Sequence, residues 1–340
     1  MIAITGGGTG GHLVIAKAIK EELNQRGIKA IYIGSNSGQD KAWFEHDEGF
    51  EQKYFLESRG VVNKKGIQKL LSLMTIVRSS FTCKALFKKH NIHAVFSVGG
   101  YSAAPASLGA LLSRLPLYIH EQNAIQGKLN TLLRPFSKAF FSAYDTSATL
   151  TSYPVSESFF KYKRERTHLK TIIFLGGSQG ATFINQLALK MAKILHENNI
   201  AIMHQTGNKE FEAIQKFYET EKIPADVFAF TTNMAQKLKE ADFAISRSGA
   251  STLWELCATA LPALFIPYPH AAANHQYYNA KTLEEKGLAL LLQQNTIDEK
   301  ILFEKIKYLD LKKMSHELST LIRVNGSKEI VNHILKESTC

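Results

Sequence analysis

His12 stands directly after the run Gly6-Gly7-Gly8-Thr9-Gly10-Gly11, which follows the β-branched stretch Ile2-Ala3-Ile4-Thr5. A histidine at that place lies at the carboxyl edge of a parallel sheet, where its imidazole can take a proton from a substrate hydroxyl near neutral pH. A histidine that only bonds a neighbouring loop would look the same. A second turn of the same kind follows Thr171-Ile172-Ile173-Phe174-Leu175 and reads Gly176-Gly177-Ser178-Gln179-Gly180-Ala181. Each is a strand-like run, then glycines, then a helix-like stretch. That is the first turn of a βα unit, where backbone N–H groups at a helix N-terminus can face an anion.

Three further constellations carry polar chemistry. Phe243-Ala244-Ile245-Ser246 opens into Arg247-Ser248-Gly249-Ala250-Ser251-Thr252 and then the helical Leu253-Trp254-Glu255-Leu256. Small residues there leave N–H groups for a phosphate, and a helix dipole contributes ~0.3–1 kcal/mol to a bound negative charge. Glu255, one turn in, is either an acceptor for a pair of ribose hydroxyls or an ordinary first-turn glutamate. Asn274-His275-Gln276-Tyr277-Tyr278-Asn279-Ala280 follows a strand and offers neutral donors and acceptors of the kind that hold sugar hydroxyls. Val98-Gly99-Gly100-Tyr101 and His120-Glu121-Gln122-Asn123 also follow strands and add glycines and polar groups to the same edge, where ligands of open α/β sheets bind.

Several classes are disfavoured. Gly6, Gly8 and Gly11 fit G-x-G-x-x-G, but the second strand ends Tyr32-Ile33-Gly34-Ser35 without the acid that a nicotinamide enzyme uses on the ribose. No Asp-x-Asp occurs to hold a divalent ion on a diphosphate, so no metal and no cofactor are expected. Cys83, Cys257 and Cys340 are too dispersed for a zinc ribbon or disulfide framework. The net charge of +11 favours an anionic partner. Nucleic acid is disfavoured, because no recognised motif and no aromatic–basic alternation is present. Lys64–His90 carries seven basic residues and no acid among many apolar ones, the pattern of a basic amphipathic helix pair on an anionic leaflet. The N-terminus has no signal-peptide pattern, and no apolar run approaches the ~20 residues a spanning helix needs. A cytoplasmic protein at a membrane surface is the expectation.

The elements that must position these residues alternate in the α/β rhythm of parallel sheets. Strands are expected at Ile2–Thr5, Ala30–Ile33, Lys53–Leu56, Ala94–Val98, Leu117–His120, Ala139–Ser142, Thr171–Leu175, Ala201–Gln205, Val227–Phe230, Phe243–Ser246, Ala263–Ile266 and Ala289–Leu292. Residues 1–150 form one expected domain, 151–166 a linker and 167–325 a second domain. Residues 326–340 form a C-terminal helix free to pack back on the first domain, and the two domains would face a cleft. The whole stretch Leu311–Leu335 reads as helical.

The six motifs, in this order, resemble those of glycosyltransferase family 28, in the branch that builds the lipid-linked disaccharide of bacterial peptidoglycan. The resemblance covers nearly the whole chain. It implies a GT-B fold of two Rossmann-like domains and transfer, with inversion, of N-acetylglucosamine from UDP-N-acetylglucosamine to the muramic acid 4-hydroxyl of lipid I, giving lipid II. It also implies a peripheral protein on the cytoplasmic face of the inner membrane, with roles in cell wall biogenesis, cell shape and division. Carried over by position, Ser178, Gln179 and Gly180, with Ser248, Gly249, Ala250, Ser251 and Thr252, face the diphosphate and ribose. Glu255 takes the ribose hydroxyls, the Thr231 backbone meets uracil, and His275, Gln276 and Asn279 hold the sugar. Thr9, Gly10, Gly11, His12, Tyr101 and Asn123 line the acceptor side, with His12 as the base and Glu121 as the fallback. Three positions depart from the family pattern: Ile15 for a proline, Ser156 for a linker arginine and Asn274 for an acidic residue. Arg164 or Arg166 are the nearest cations to replace that arginine. Another GT-B enzyme, such as a UDP-sugar epimerase or a different glycolipid transferase, is the alternative; a non-catalytic nucleotide-sugar-binding module is the reading from another class.

Overall fold

A computed structural model describes residues 1–58, 60, 66–177 and 180–338. The chain divides into two units, Met1–Pro154 together with the segment from Asn325 onward, and Val155–Val324.

In the first unit, β1 (Ile2–Thr5), β2 (Ala30–Ser35), β3 (Gln52–Leu56), β4 (Ala94–Ser97), β5 (Leu117–Glu121) and β6 (Ala139–Ser142) form one parallel sheet in the order β3-β2-β1-β4-β5-β6. In the second, β7 (Thr171–Leu175), β8 (Ala201–Gln205), β9 (Ala225–Phe228), β10 (Phe243–Ser246), β11 (Ala263–Phe265) and β12 (Leu290–Leu291) repeat it as β12-β11-β10-β7-β8-β9. Both are Rossmann orders. The strand order reverses between β1 and β4, and again between β7 and β10, and ligands of such sheets bind at that reversal. The register aligns these neighbours at their carboxyl ends, Thr5 with Ser97 and Leu175 with Ser246. The turns that follow each pair therefore leave from one place on each sheet.

The strands are apolar on both faces because helices cover both. Ile31, Val95 and Ile119 pack against Phe87, Ala106 and Ala110 in the first unit, and Ile172, Phe174 and Ile245 against Ile184, Leu187 and Phe303 in the second. Each expected strand has a counterpart, with shifted ends. The strand expected at Val227–Phe230 runs Ala225–Phe228, because its ladder with β8 ends where Gln205 meets Phe228; Phe230 lies beyond it, exposed. β12 is shorter than expected, since it pairs only with β11.

Three sequence expectations change: the linker, the pair of basic helices and the absence of an apolar run long enough to span a membrane. Residues 155–166, expected as linker, belong to the second unit and contain the helix Glu157–Lys161. The C-terminal helical stretch is two helices, Leu311–Leu321 and Gly326–Ser338, and the second belongs to the first unit. Arg26 donates to Asn332 at 2.6 Å, Lys138 pairs with Glu337 at 3.0 Å, and Ser152 donates to Glu329. The basic segment is one continuous helix, Gly66–Lys89, not a pair, since no glycine or proline interrupts it after its first residue. It is also long and apolar enough to cross a membrane, contrary to the reading of the sequence. Lys64 and Lys65 lie outside the described residues.

Candidate active site

At the carboxyl edge of the first sheet, the turns after β1 and β4 interlock. Gly7 N–H donates to Gly99 O at 3.2 Å and Val98 N–H to Thr5 O at 2.9 Å. The backbones are so close that a Cβ on Gly6 would strike Gly99 O, and one on Gly100 would strike Gly7 O. Both glycines also have positive φ, +114° and +77°, which costs a residue with a side chain further. Gly10 and Gly11 open the helix Gly10–Gln25, so His12 sits in its first turn, half-buried. The Thr9 hydroxyl meets His12 Nδ1 at 2.8 Å. Nε2 lies toward Gly100, where even a methyl group would come within 3.4 Å of it. Tyr101 lays its ring against Gly8 and donates its hydroxyl to Ser37 O at 2.8 Å.

Glu121 is placed differently from a base. It is buried, and both carboxylate oxygens are occupied: Oε1 by Asn123 N–H at 3.0 Å, Oε2 by Gly127 N–H and Asn130 Nδ2, each at 2.8 Å. Asn123 Nδ2 adds a longer bond to Oε1, so the carboxylate knots the loop from 121 to 130. Burial pushes its pKa up, and those hydrogen bonds pull against that shift. The neighbouring His120 is fully buried, and among the described residues neither ring nitrogen has a hydrogen-bond partner. Burial, and then the charge of His12, push it down to about 3, so it is neutral at any physiological pH.

In the second unit the structure gathers three stretches of the sequence. Arg247, at the end of β10, donates to Ile266 O and Pro267 O, each at 3.0 Å, and its guanidinium lies 5.7 Å from the rings of both Phe183 and Tyr268. Burial lowers its pKa to about 10, which leaves it a cation at neutral pH. Asn279, fully buried, donates to Ser248 O at 3.2 Å, and Gln276 accepts from Tyr268 N–H at 2.9 Å. His275 bonds Ala272 O at 2.8 Å. Ala273 and Asn274 both have positive φ, +50° and +55°. Asparagine tolerates that region, a local reason for Asn274, whereas an alanine there is strained, a condition concentrated at functional sites.

Gly249 caps the helix Ala250–Ala258 in an extended conformation, with open space where a Cβ would be. Ser248 Oγ is buried beside it with no hydrogen-bond partner among the described residues, a cost that asks for an explanation. Ser251 and Thr252 are half-buried in the first turn. Desolvation pushes the Glu255 carboxyl up to about 7, although part of the residue still reaches solvent. Thr231 lies in the loop after β9 and accepts from Asn233 N–H at 3.0 Å. Gly180, at φ +74°, packs against Thr206 O after β8. Ser178 and Gln179 lie outside the described residues.

Arg164 and Arg166 do not replace the missing linker arginine. Arg166 is buried and donates to the carbonyls of Leu238, Ala241, Thr259 and Arg164, while Arg164 pairs with Asp242 at 2.7 Å. Asp242 precedes β10, so both arginines brace the amino edge of the sheet, opposite the edge where ligands bind. Among the described residues, no group of three or more His, Cys, Asp or Glu is arranged to hold a metal ion.

Two residues were missed in the sequence. Arg247 stands in its motif, but nothing in the sequence gives it a role. Asp40 carried no signal at all: it lies 32 residues from Gly8, yet its carboxylate accepts Gly8 N–H at 2.6 Å.

Comparison with known proteins follows this geometry. Residues 2–142 match the glycosyltransferase family 28 N-terminal domain and residues 171–334 the family 28 C-terminal domain. The chain is similar to the UDP-N-acetylglucosamine--N-acetylmuramyl-(pentapeptide) pyrophosphoryl-undecaprenol N-acetylglucosamine transferase of Campylobacter fetus subsp. fetus, at 55% identity over 99% of this chain and 100% of that protein. The protein of that name from Wolinella succinogenes is 49% identical over 98% and 99% of the two chains. The crystal structure of Acinetobacter baumannii MurG superposes with a TM-score of 0.81, at 29% identity and 99% coverage of both chains.

Proposed function

The chain belongs to glycosyltransferase family 28, and from that premise we propose how its residues divide the work of the transfer. The enzyme moves N-acetylglucosamine from UDP-N-acetylglucosamine to the muramic acid 4-hydroxyl of lipid I, forming lipid II. Near-full-length identity to transferases of that name disfavours an epimerase or another acceptor.

The observation that carries the donor site is the junction of Ser248, Gly249 and Asn279 at the start of the Ala250–Ala258 helix. A buried hydroxyl without a partner among the described residues stands beside a helix N-terminus that no described side chain covers at Gly249, which suits a phosphate. Glu255 takes the ribose hydroxyls, Gln276 and His275 the sugar, and the loop at Thr231 the base. With Ser156 where the family pattern has an arginine, the charge that offsets the leaving diphosphate comes from the helix N-terminus and from Arg247 at the same edge.

In the first unit, the acceptor 4-oxygen attacks the anomeric carbon as its proton passes to His12 Nε2, the C1–O bond to UDP breaks, and the configuration inverts. Glu121 holds the 121–130 loop and so shapes the acceptor wall without taking the proton. His120, neutral and buried, adds no charge to that wall.

The Gly66–Lys89 helix is the membrane contact. Its buried stripe is Ser72, Ile76, Ser80, Cys83 and Phe87, while Ile67, Leu70, Leu71, Met74, Val77 and Phe81 face outward, Ile67 at 76% exposure. Ser72, Thr75 and Ser80 turn their hydroxyls back to the helix's own carbonyls, so that they need no water. Lys69, Arg78, Lys84, Lys88 and Lys89 face anionic headgroups, on the cytoplasmic leaflet.

Transfer of labelled N-acetylglucosamine to a lipid I analogue in EDTA tests the reaction; a β-linked disaccharide is expected, and tight UDP binding without transfer would sink it. Flotation with anionic vesicles tests the helix. Replacing Leu70, Met74 and Phe81 by Ser should abolish binding even at low salt, and unchanged flotation would remove the helix from that role.

A further inference from the structure

The first glycine turn holds a resident anion. Asp40 is fully buried, and its carboxylate lies against the turn. Oδ2 accepts Gly8 N–H at 2.6 Å. Oδ1 accepts Ser35 N–H at 3.0 Å and shares the Tyr32 hydroxyl, at 3.1 Å, with Gly6 O at 2.9 Å. A Cβ on Gly7 or on Gly34 would strike this carboxylate, so both glycines make room for it. The strand that lacks an acid at its end has one five residues on, turned inward to the turn backbone.

A backbone N–H of the turn, that of Gly8, meets this negative charge, as the N–H groups of nucleotide-binding turns meet a phosphate. From there the linkage is short. Gly8 is held by the carboxylate on one side and by the Tyr101 ring on the other. Thr9 follows, and its hydroxyl holds His12 Nδ1. We propose that Asp40 is a positioning residue of the transfer: its carboxylate stands in for a phosphate in the first turn and fixes Gly8 and Thr9, so that His12 presents Nε2 to the acceptor. This rests on the assignment of His12 as the base.

Asp40→Asn tests it. An amide supplies one acceptor oxygen but sets its NH2, or else an overcommitted oxygen, among donors that a carboxylate satisfied with two. The expected result is a fall in kcat of roughly ten- to a hundredfold, the scale of a misplaced catalytic group, with KM for UDP-N-acetylglucosamine within about twofold of wild type. Asp40→Ala should recover part of its kcat in sodium acetate but not in sodium chloride, because a small carboxylate can refill the cradle. Thr9→Val removes the hydroxyl on His12 at an exposed position and should reproduce the loss of kcat; it decides the question if neither Asp40 variant folds. A kcat within about twofold of wild type in Asp40→Asn, or in Thr9→Val, while His12→Ala is inactive, overturns the positioning role alone. A loss of UDP-N-acetylglucosamine affinity in step with kcat in Asp40→Asn marks a general structural role and overturns it too. Full activity in His12→Ala would instead remove the base and, with it, this inference.

Discussion

The two glycine turns share one grammar, and the molecule treats them in opposite ways. After β1, the turn is closed from within: Asp40 takes Gly8 N–H, Gly99 O takes Gly7 N–H, and the Tyr101 ring fills the space at Gly8. After β7, no atom of the described residues lies within 4 Å of where a Cβ on Gly177 would be. A carboxylate is near this turn as well: Glu210 accepts from the side chains of Thr182 and Asn185. A glycine-rich turn is thus a geometry before it is a ligand site. Filled from inside, it becomes a rigid base for the residue after it; the proposed division of labour gives the second turn to the donor instead.

The largest effect expected from this contrast is at His12. His12→Ala should lower kcat by roughly a hundred- to ten-thousandfold, the range of general base catalysis, while calorimetric UDP affinity stays as in wild type. A variant that loses UDP affinity would break the division of labour between the units. Next come the turns themselves. Gly8→Ala and Gly177→Ala meet the same backbone penalty, at φ +85° and +79°, but only the first collides with a packed ring. Gly8→Ala should cost about 2–4 kcal/mol in urea unfolding and Gly177→Ala about 1 kcal/mol; equal losses would erase the distinction.

The smallest effects are at Glu255. Its pKa of about 7 lies above the ordinary carboxylate value of 4.5, so the folded state prefers the protonated form. Stability relative to Glu255→Gln should therefore decline as pH rises from about 4.5 to 7, and the variant should melt higher at pH 8 but not at pH 4.5. Ribose hydroxyls donate best to the ionised form, so wild-type UDP affinity should rise through pH 7 and that of Glu255→Gln stay flat. A wild-type affinity independent of pH would remove Glu255 from the ribose.

Much of this was legible because it is local. β-branched runs ending in glycine or small residues marked the strands that converge at each reversal, β1, β4, β7 and β10, to within a residue. The donor-side motifs could be grouped because each follows a strand of the same sheet. What stayed hidden depended on partners distant in sequence. Glu121 looked like a second base until Gly127 and Asn130 were found on its oxygens. Arg164 and Arg166 looked like free cations until the carbonyls of Leu238, Ala241 and Thr259 were found around them. The Gly66–Lys89 helix read as amphipathic, but nothing in its period shows which apolar residues face inward; packing on Gly109, against which Cys83 and Phe87 lie, buries Ile76 and Phe87 and leaves Ile67, Leu70, Met74 and Phe81 outside.

By itself, then, the sequence determined the two parallel sheets, the glycine turns at their reversals and the family, because strand sterics, turn conformations and motif order are properties of short stretches. Tertiary structure alone decided which turn holds Asp40, which carboxyl is pushed to about 7 and which arginines are already engaged. Hydrogen-bond partnership and desolvation depend on atoms brought together from tens of residues apart, and no local pattern encodes them.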